Sequence, residues 1–212
     1  KKSVQFSQRT INEILWAEIF NNTITNSSWL KNREFSPGRW AAGYAYLYVM
    51  YRVLNEFRPK RILEMGLGQT TRMIAQYASA NPNVVHYIVE HDKDWIEFFK
   101  NDFSLPENST IVQLDRQMIP FKEAEAVRTF IGFEDKFKDQ QFDFISIDAP
   151  LGSDMKEYAR IDILGLLPKC LAPSFVIMMD DYDRPGEQST GGELECILKE
   201  NQVEFKKGIY RS

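Results

Sequence analysis

The stretch Arg61-Ile62-Leu63-Glu64-Met65-Gly66-Leu67-Gly68-Gln69-Thr70 reads as a strand running into a tight turn and then a helix. An apolar run ends on an acidic residue, glycines follow at alternate positions, and a hydroxyl residue opens a helix-like segment. Glycine lets the backbone turn sharply and approach a ligand, and a helix N-terminus presents free N–H groups. At the edge of a parallel sheet such a junction grips a nucleotide-type cofactor. Gly66, Gly68 and Thr70 are therefore candidate cofactor contacts; the competing reading is a plain strand–helix turn. A second acidic residue, Glu90, follows the next strand-like run, Val84 to Val89, at a spacing that suits a carboxylate chelating ribose hydroxyls.

Outward from this junction the chain alternates strand and helix. Strands are expected at Ile62 to Met65, Val84 to Val89, Thr110 to Leu114, Phe142 to Ile147 and Phe175 to Met179. Helices are expected at Thr71 to Ala78, Lys93 to Phe103, Phe121 to about Phe130, and Met155 to Leu167. Short apolar strands between amphipathic helices imply an α/β, Rossmann-like three-layer sandwich, its mostly parallel sheet covered by helices on both faces. Ligands of such sheets bind beyond the carboxyl ends of the strands. Each of the five expected strand ends carries a carboxylate: Glu64, Glu90 with Asp92, Asp115, Asp148, and the pair Asp180-Asp181. One or two would be ordinary turn chemistry; five on one rim suggest an edge that holds a ligand.

Before this core, a helix from about Thr10 to Phe20 would place Ile11, Ile14, Leu15 and Ile19 on one stripe. Ser36-Pro37 is a helix-start signal for a buried helix over Trp40 to Phe57, which Arg58-Pro59-Lys60 stops. After the core, the two glycine clusters between Asp183 and Gly192 mark a mobile gate, and a helix follows over Glu193 to Asn201. Val203 to Lys207 is a strand candidate, and one more strand, at Ile209-Tyr210, is either cut short at Ser212 or missing. The expected organisation is an N-terminal helical extension, residues 1–35, and a single domain, residues 36–212. The extension would serve as a lid or as a dimer arm.

A chain of 212 residues, 43% of them hydrophobic, suits that single core. Its net charge of −4, with scattered Lys and Arg, argues against a nucleic-acid partner. Cys170 and Cys196 have no metal-ligand or disulfide spacing and read as packed thiols. With no signal peptide or membrane-length apolar run, the expected setting is cytoplasmic, with no membrane partner.

The arrangement Glu64-Met65-Gly66-Leu67-Gly68 resembles motif I of the class I S-adenosylmethionine-dependent methyltransferases. A dinucleotide fingerprint would need a glycine where Thr71 stands, and a phosphate-binding loop would need a lysine after the glycines. The resemblance implies S-adenosylmethionine as cofactor, with the loop on its amino-acid end, Glu90 on the ribose, Asp115 near the adenine amino group and His91 beside the ring. It covers the sheet core, roughly residues 61–183. Within it, Asp148, Asp180 and Asp181 resemble the metal site of the catechol-type O-methyltransferases, implying Mg²⁺ or Mn²⁺. Asp181 departs from that family's Asn, and Leu151 stands where it has a catalytic lysine. The strings Val89-Glu90-His91-Asp92-Lys93-Asp94-Trp95 and Ile147-Asp148-Ala149-Pro150-Leu151-Gly152 are similar to the glucuronoxylan-type O-methyltransferases. Both resemblances imply a hydroxyl acceptor, a sugar or another small molecule.

Methyl transfer to a hydroxyl needs alignment plus removal of one proton, by a positioned base or by a metal. Asp148 is the candidate catalytic residue, as base or ligand; Asp154 and Asp183 are nearby alternatives. The bland account of Asp180-Asp181 is a solvated turn. His86 is expected to be a packed strand side chain, Trp95 to pack in the core or wall an adenine pocket, and Arg39 and Trp40 to start a helix or touch substrate. Two other classes stay open: a nicotinamide-dependent oxidoreductase, for which no Tyr-x-x-x-Lys pair offers a proton relay, and a non-catalytic ligand-binding domain.

Overall fold

A computed structural model describes residues 2–35 and 41–210. Among the described residues the elements are α1 (Lys2–Ile24), α2 (Tyr44–Arg52), β1 (Arg61–Met65), α3 (Gln69–Ala80), β2 (Val85–Glu90), α4 (Lys93–Asp102), β3 (Ser109–Gln113), β4 (Arg116–Phe121), β5 (Ala124–Phe130), α5 (Phe133–Phe137), β6 (Phe142–Ile147), β7 (Leu171–Met179) and α6 (Pro185–Glu200). A π-turn at Val53–Phe57 prolongs α2, and a 3₁₀ segment spans Asp162–Leu166. Five strands form one parallel sheet in the order β3-β2-β1-β6-β7. The chain leaves β1 toward β2 and β3, then returns to β6 on the other side. The crevice between the ends of β1 and β6 is thus the topological switch point, where open α/β sheets bind ligands.

Alternation along each strand divides the sheet into two buried faces. Ile62 and Phe144 face a core shared with Leu47, Met50, Met73 and Ile74 of α2 and α3. Phe20, Ile24 and Leu30 join the same core, so the end of α1 is packed into the body of the protein. Leu63, Met65, Ile145 and Ile147 face Val127, Phe137, Ile163 and Leu198 on the other side. Phe144 and Leu63 are fully buried, so truncating either to Ala should cost about 3–5 kcal/mol.

The five core strands, α3 and α4 lie where the sequence puts them. Several other expectations are corrected. Phe121 to Phe130 is not a helix: β4 and β5 form an antiparallel hairpin with Lys122 and Glu123 at its turn. The buried residues Ala124, Val127 and Phe130 recur every third position, which imitates a helical stripe. Met155 to Leu167 is mostly irregular before its short 3₁₀ turn, and Arg160 within it holds a φ of 59°. The supposed gate at the glycine clusters is the first half of α6. Gly191 sits where a Cβ would come 2.5 Å from the Tyr182 ring, and Gly186 where one would come 3.1 Å from Ala159, so both serve close packing. Val203 to Lys207 forms no strand; Val203 and Phe205 lie against the core instead. On α1 the expected stripe is inverted: Ile11, Ile14 and Leu15 are exposed, while Phe20 and Ile24 are buried. The second helix begins at Tyr44 rather than Trp40. The proposed start at Ser36-Pro37 and the candidate contacts Arg39 and Trp40 lie outside the described residues. Cys170 is buried, with its thiol pushed up to about 12 by burial, whereas Cys196 is exposed.

Candidate functional site

The sheet order sets β1 beside both β2 and β6, so Glu64, Glu90 and Asp148 share one rim. Met65 ends β1 and Gly66 turns the chain with a φ of 111°, a conformation that needs glycine. A Cβ there would stand 3.4 Å from the Asp148 backbone, which shows how closely the two strand ends approach. Gly68 is different. Its φ of −173° is open to any residue, and a Cβ would meet nothing within 4 Å. Free space therefore lies over Gly68 at the start of α3. Gly68 donates its N–H to Thr71 Oγ1 (2.9 Å), and Thr70 and Thr71 are both buried.

Glu64 is fully buried. Its Oε2 lies 3.0 Å from His86 Nε2, and His86 Nδ1 lies 3.0 Å from Ser109 Oγ, a polar chain across β1, β2 and β3. Oε1 has no hydrogen-bond partner. A buried, unpaired carboxylate oxygen is costly, so a donor supplied by a ligand would relieve it. His86 is thus a packed strand residue that also orients Glu64. On the same face, Tyr46 of α2 and Ser146 of β6 are joined through their hydroxyls at 2.9 Å.

Glu90 ends β2 and gathers the surrounding backbone. Oε1 accepts from the N–H groups of His91 (2.6 Å) and Asp92 (2.9 Å), and Oε2 from Leu67 N–H (3.3 Å). His91 Nδ1 is 2.7 Å from Oε1. Since a carboxylate offers about four lone-pair positions, Oε2 keeps an acceptor for a ligand hydroxyl. Asp92 caps α4 by accepting from Trp95 N–H (3.0 Å). The Trp95 ring is not in the core: it is 41% exposed, stacks on Phe98, and donates Nε1–H to Leu67 O at 2.7 Å. Asp115 follows β3 as an exposed residue whose carbonyl accepts from Ile131 N–H.

At the other end of the rim, Asp148 follows β6 and Asp180 and Asp181 follow β7. One oxygen from each of the three lies within 4.8 Å of the others, as the sequence reading required. The sequence did not indicate what stands among them. Arg160 is 3% exposed, and its Nη2 is 3.1 Å from Asp148 Oδ1 and 2.8 Å from Asp181 Oδ2. Its other nitrogens donate to the carbonyls of Asp180 (3.1 Å), Pro150 (3.4 Å) and Ile147 (3.5 Å). Arg184 Nη1 meets Asp181 Oδ2 at 2.7 Å. Glu187 is fully buried and makes no hydrogen bond, with Arg160 Nε at 3.7 Å and Arg184 Nη1 at 3.6 Å. A lone arginine in a polar stretch has no sequence signature, so nothing marked Arg160. Glu187, three residues after Arg184 and in the first turn of a helix, had a faint one.

Burial pushes Asp148 well above the ordinary carboxylate range; Asp180, Asp181 and Glu64 push the same way, while Arg160 pulls it back. Burial and Asp181 likewise raise Asp180. The alternative Asp154 is drawn outward by Arg128 and held down at about 2, away from this cluster. Oxygen-only donors suit a hard divalent ion. Yet two of the three carboxylates already share one guanidinium. Like charges about 4 Å apart repel by roughly 4 kcal/mol per unit pair at an effective dielectric of about 20, and a dication doubles that. Arg160 and Arg184 thus offset part of the attraction that the three carboxylates offer a divalent ion, and an ion bound there would share Asp148 and Asp181 with Arg160.

No protein-family model and no curated protein matches the chain. Solved structures do. A putative caffeoyl-CoA O-methyltransferase from Staphylococcus aureus superposes with a TM-score of 0.53 at 15% identity, covering 90% of each chain. The chain has the class I methyltransferase fold. Weaker likenesses include the S-adenosylhomocysteine-bound methyltransferase PaMTH1 from Podospora anserina (TM-score 0.46, 13% identity, 91% of this chain and 79% of that one). Another is the plantazolicin methyltransferase BpumL with S-adenosylhomocysteine (TM-score 0.38, 14% identity, 94% and 78%). Within this methyltransferase fold, Gly66, Gly68, Glu64 and Glu90 occupy the ends of β1 and β2, and Asp148 the end of β6. No helix of the described residues is long and apolar enough to cross a membrane.

Proposed function

We propose that the protein is an S-adenosylmethionine-dependent methyltransferase acting on the hydroxyl of a sugar or another small molecule. The observation that carries this is the pair of carboxylates, Glu64 and Glu90, bracketing the Gly66–Gly68 turn at the switch point, with open space over Gly68. An orphaned acceptor at Glu64 Oε1 suits the ammonium end of an amino acid, and the spare acceptor on Glu90 suits a ribose hydroxyl. When bound, S-adenosylmethionine supplies a methyl group already activated on a sulfonium. The protein then has two tasks: to orient the acceptor oxygen and to take its proton. Asp148 stands at the end of β6, across from Gly66, and burial raises its carboxyl above the ordinary range, which makes it more basic than a solvated carboxylate. Asp115 and His91 would border the adenine side. Mg²⁺ or Mn²⁺ at Asp148, Asp180 and Asp181 takes no part in this reading, because Arg160 already bridges Asp148 and Asp181.

Titration calorimetry with S-adenosylhomocysteine and NAD tests the cofactor assignment. Binding of the first at micromolar concentration, without binding of the second, is expected; the reverse result would replace the methyltransferase reading with an oxidoreductase one.

A further inference from the structure

We propose that Arg160 is the built-in counter-cation of the rim, standing where a divalent ion would otherwise bridge Asp148 and Asp181, and so fixing Asp148 for proton removal without a metal. What Asp148 does there rests on the methyltransferase reading; the replacement of an ion by an arginine does not. Three observations converge. Nη2 alone contacts carboxylates from two different strand ends, Asp148 Oδ1 and Asp181 Oδ2. The same guanidinium bonds the carbonyls of Ile147, Pro150 and Asp180, so it also ties the end of β6 to the end of β7. And the residue sits on a left-handed backbone (φ 59°) in an irregular segment, an uncommon conformation for a residue other than glycine, and here its side chain is buried. A planar guanidinium with a fixed fork of donors can satisfy carboxylates and carbonyls together, which a hydrated ion does less selectively.

The Arg160 side chain is buried, and the preceding Ala159 is fully buried against Gly186. Arg160 is therefore a positioning residue: it acts on the acceptor through Asp148. A divalent ion at this cluster and the guanidinium would share the Asp148 and Asp181 carboxylates, so removing one should admit the other.

The test is a titration of Mn²⁺ into the EDTA-treated full chain, as wild type, Arg160→Lys and Arg160→Met, followed by calorimetry and by the shift of the thermal midpoint. Wild type and Arg160→Lys should show no saturable site, because both keep a cation among the carboxylates. Arg160→Met keeps most of the apolar stem and should gain one site with a dissociation constant tighter than about 1 mM, the weak end of carboxylate ion sites. Saturable binding of one Mn²⁺ to the wild type, abolished in Asp180→Ala, would overturn the proposal, as would a folded Arg160→Met that gains no site. Should Arg160→Met fail to fold, the wild-type and Arg160→Lys titrations still decide. S-adenosylhomocysteine is titrated in parallel: its failure to bind would sink the methyltransferase reading and leave the cation result standing.

Discussion

The two halves of the rim are built from the same residue type and treat it in opposite ways. At the ends of β1 and β2, Glu90 holds backbone amides and Glu64 the His86 ring, and both leave capacity over: Glu64 Oε1 is unpartnered, Glu90 Oε2 keeps an acceptor, and Gly68 faces open space. At the ends of β6 and β7, Asp148, Asp181 and Glu187 close around Arg160 and Arg184. One half is organised to be completed by a ligand; the other is completed by the chain itself. Carboxylates in register on a sheet edge thus mark a site, but what neutralises them decides its chemistry.

The comparison breaks most visibly at Arg160. Its replacement by Met should cost about 3–5 kcal/mol in a denaturant titration, because it leaves the fully buried Glu187 and the partly buried Asp148 and Asp181 without the buried guanidinium. A loss below about 1 kcal/mol would mean that the β6–β7 half is no more closed than the other. Glu90→Ala should act on the ligand: affinity for S-adenosylhomocysteine should fall by about 1–3 kcal/mol, the scale of hydrogen bonds to a charged group. Unchanged affinity would remove Glu90 from the ribose. Gly68→Ala sharpens the contrast further, with stability expected to change by less than about 0.5 kcal/mol while calorimetry shows weaker cofactor binding, since the added methyl enters free space.

A different kind of effect concerns pH. Asp162, on the β6–β7 side, accepts Phe130 N–H at 2.6 Å and is raised by burial to about 7. A carboxyl whose folded value lies above its unfolded value of about 3.9 favours the fold fully below that lower value, and the advantage is lost as pH rises through about 7. Wild type should therefore lose stability relative to Asp162→Asn between about pH 4 and pH 7. Parallel pH profiles in thermal melts would contradict this.

How far the sequence could be read follows from the physics of each element. Parallel strands buried on both faces are short, continuous apolar runs, so Ile62 to Met65 and Phe142 to Ile147 were legible, and the carboxylates at their ends came with them. The β4–β5 hairpin was not, because Ala124, Val127 and Phe130 are buried at a helical interval. Gly186 and Gly191 were misread because a glycine chosen for contact with Ala159 or Tyr182 looks like one chosen for freedom. The open half of the site rests on glycines and strand-end acids, which leave a local pattern. The closed half rests on Arg160 reaching carboxylates on either side of it in the chain, and such a contact exists only once the chain has folded.

The Tyr46–Ser146 bond joins residues 100 apart in the chain, one layer beneath the rim. Burial, with Asp180 and Asp148 adding to it, holds the Tyr46 phenol well above its ordinary value, and Tyr77 is pushed up to about 12. Tyr46 should therefore stay dark when alkali turns exposed phenols into absorbing phenolates. Its late appearance in the ultraviolet would give an optical gauge, free of any label, of when the floor beneath the carboxylates gives way.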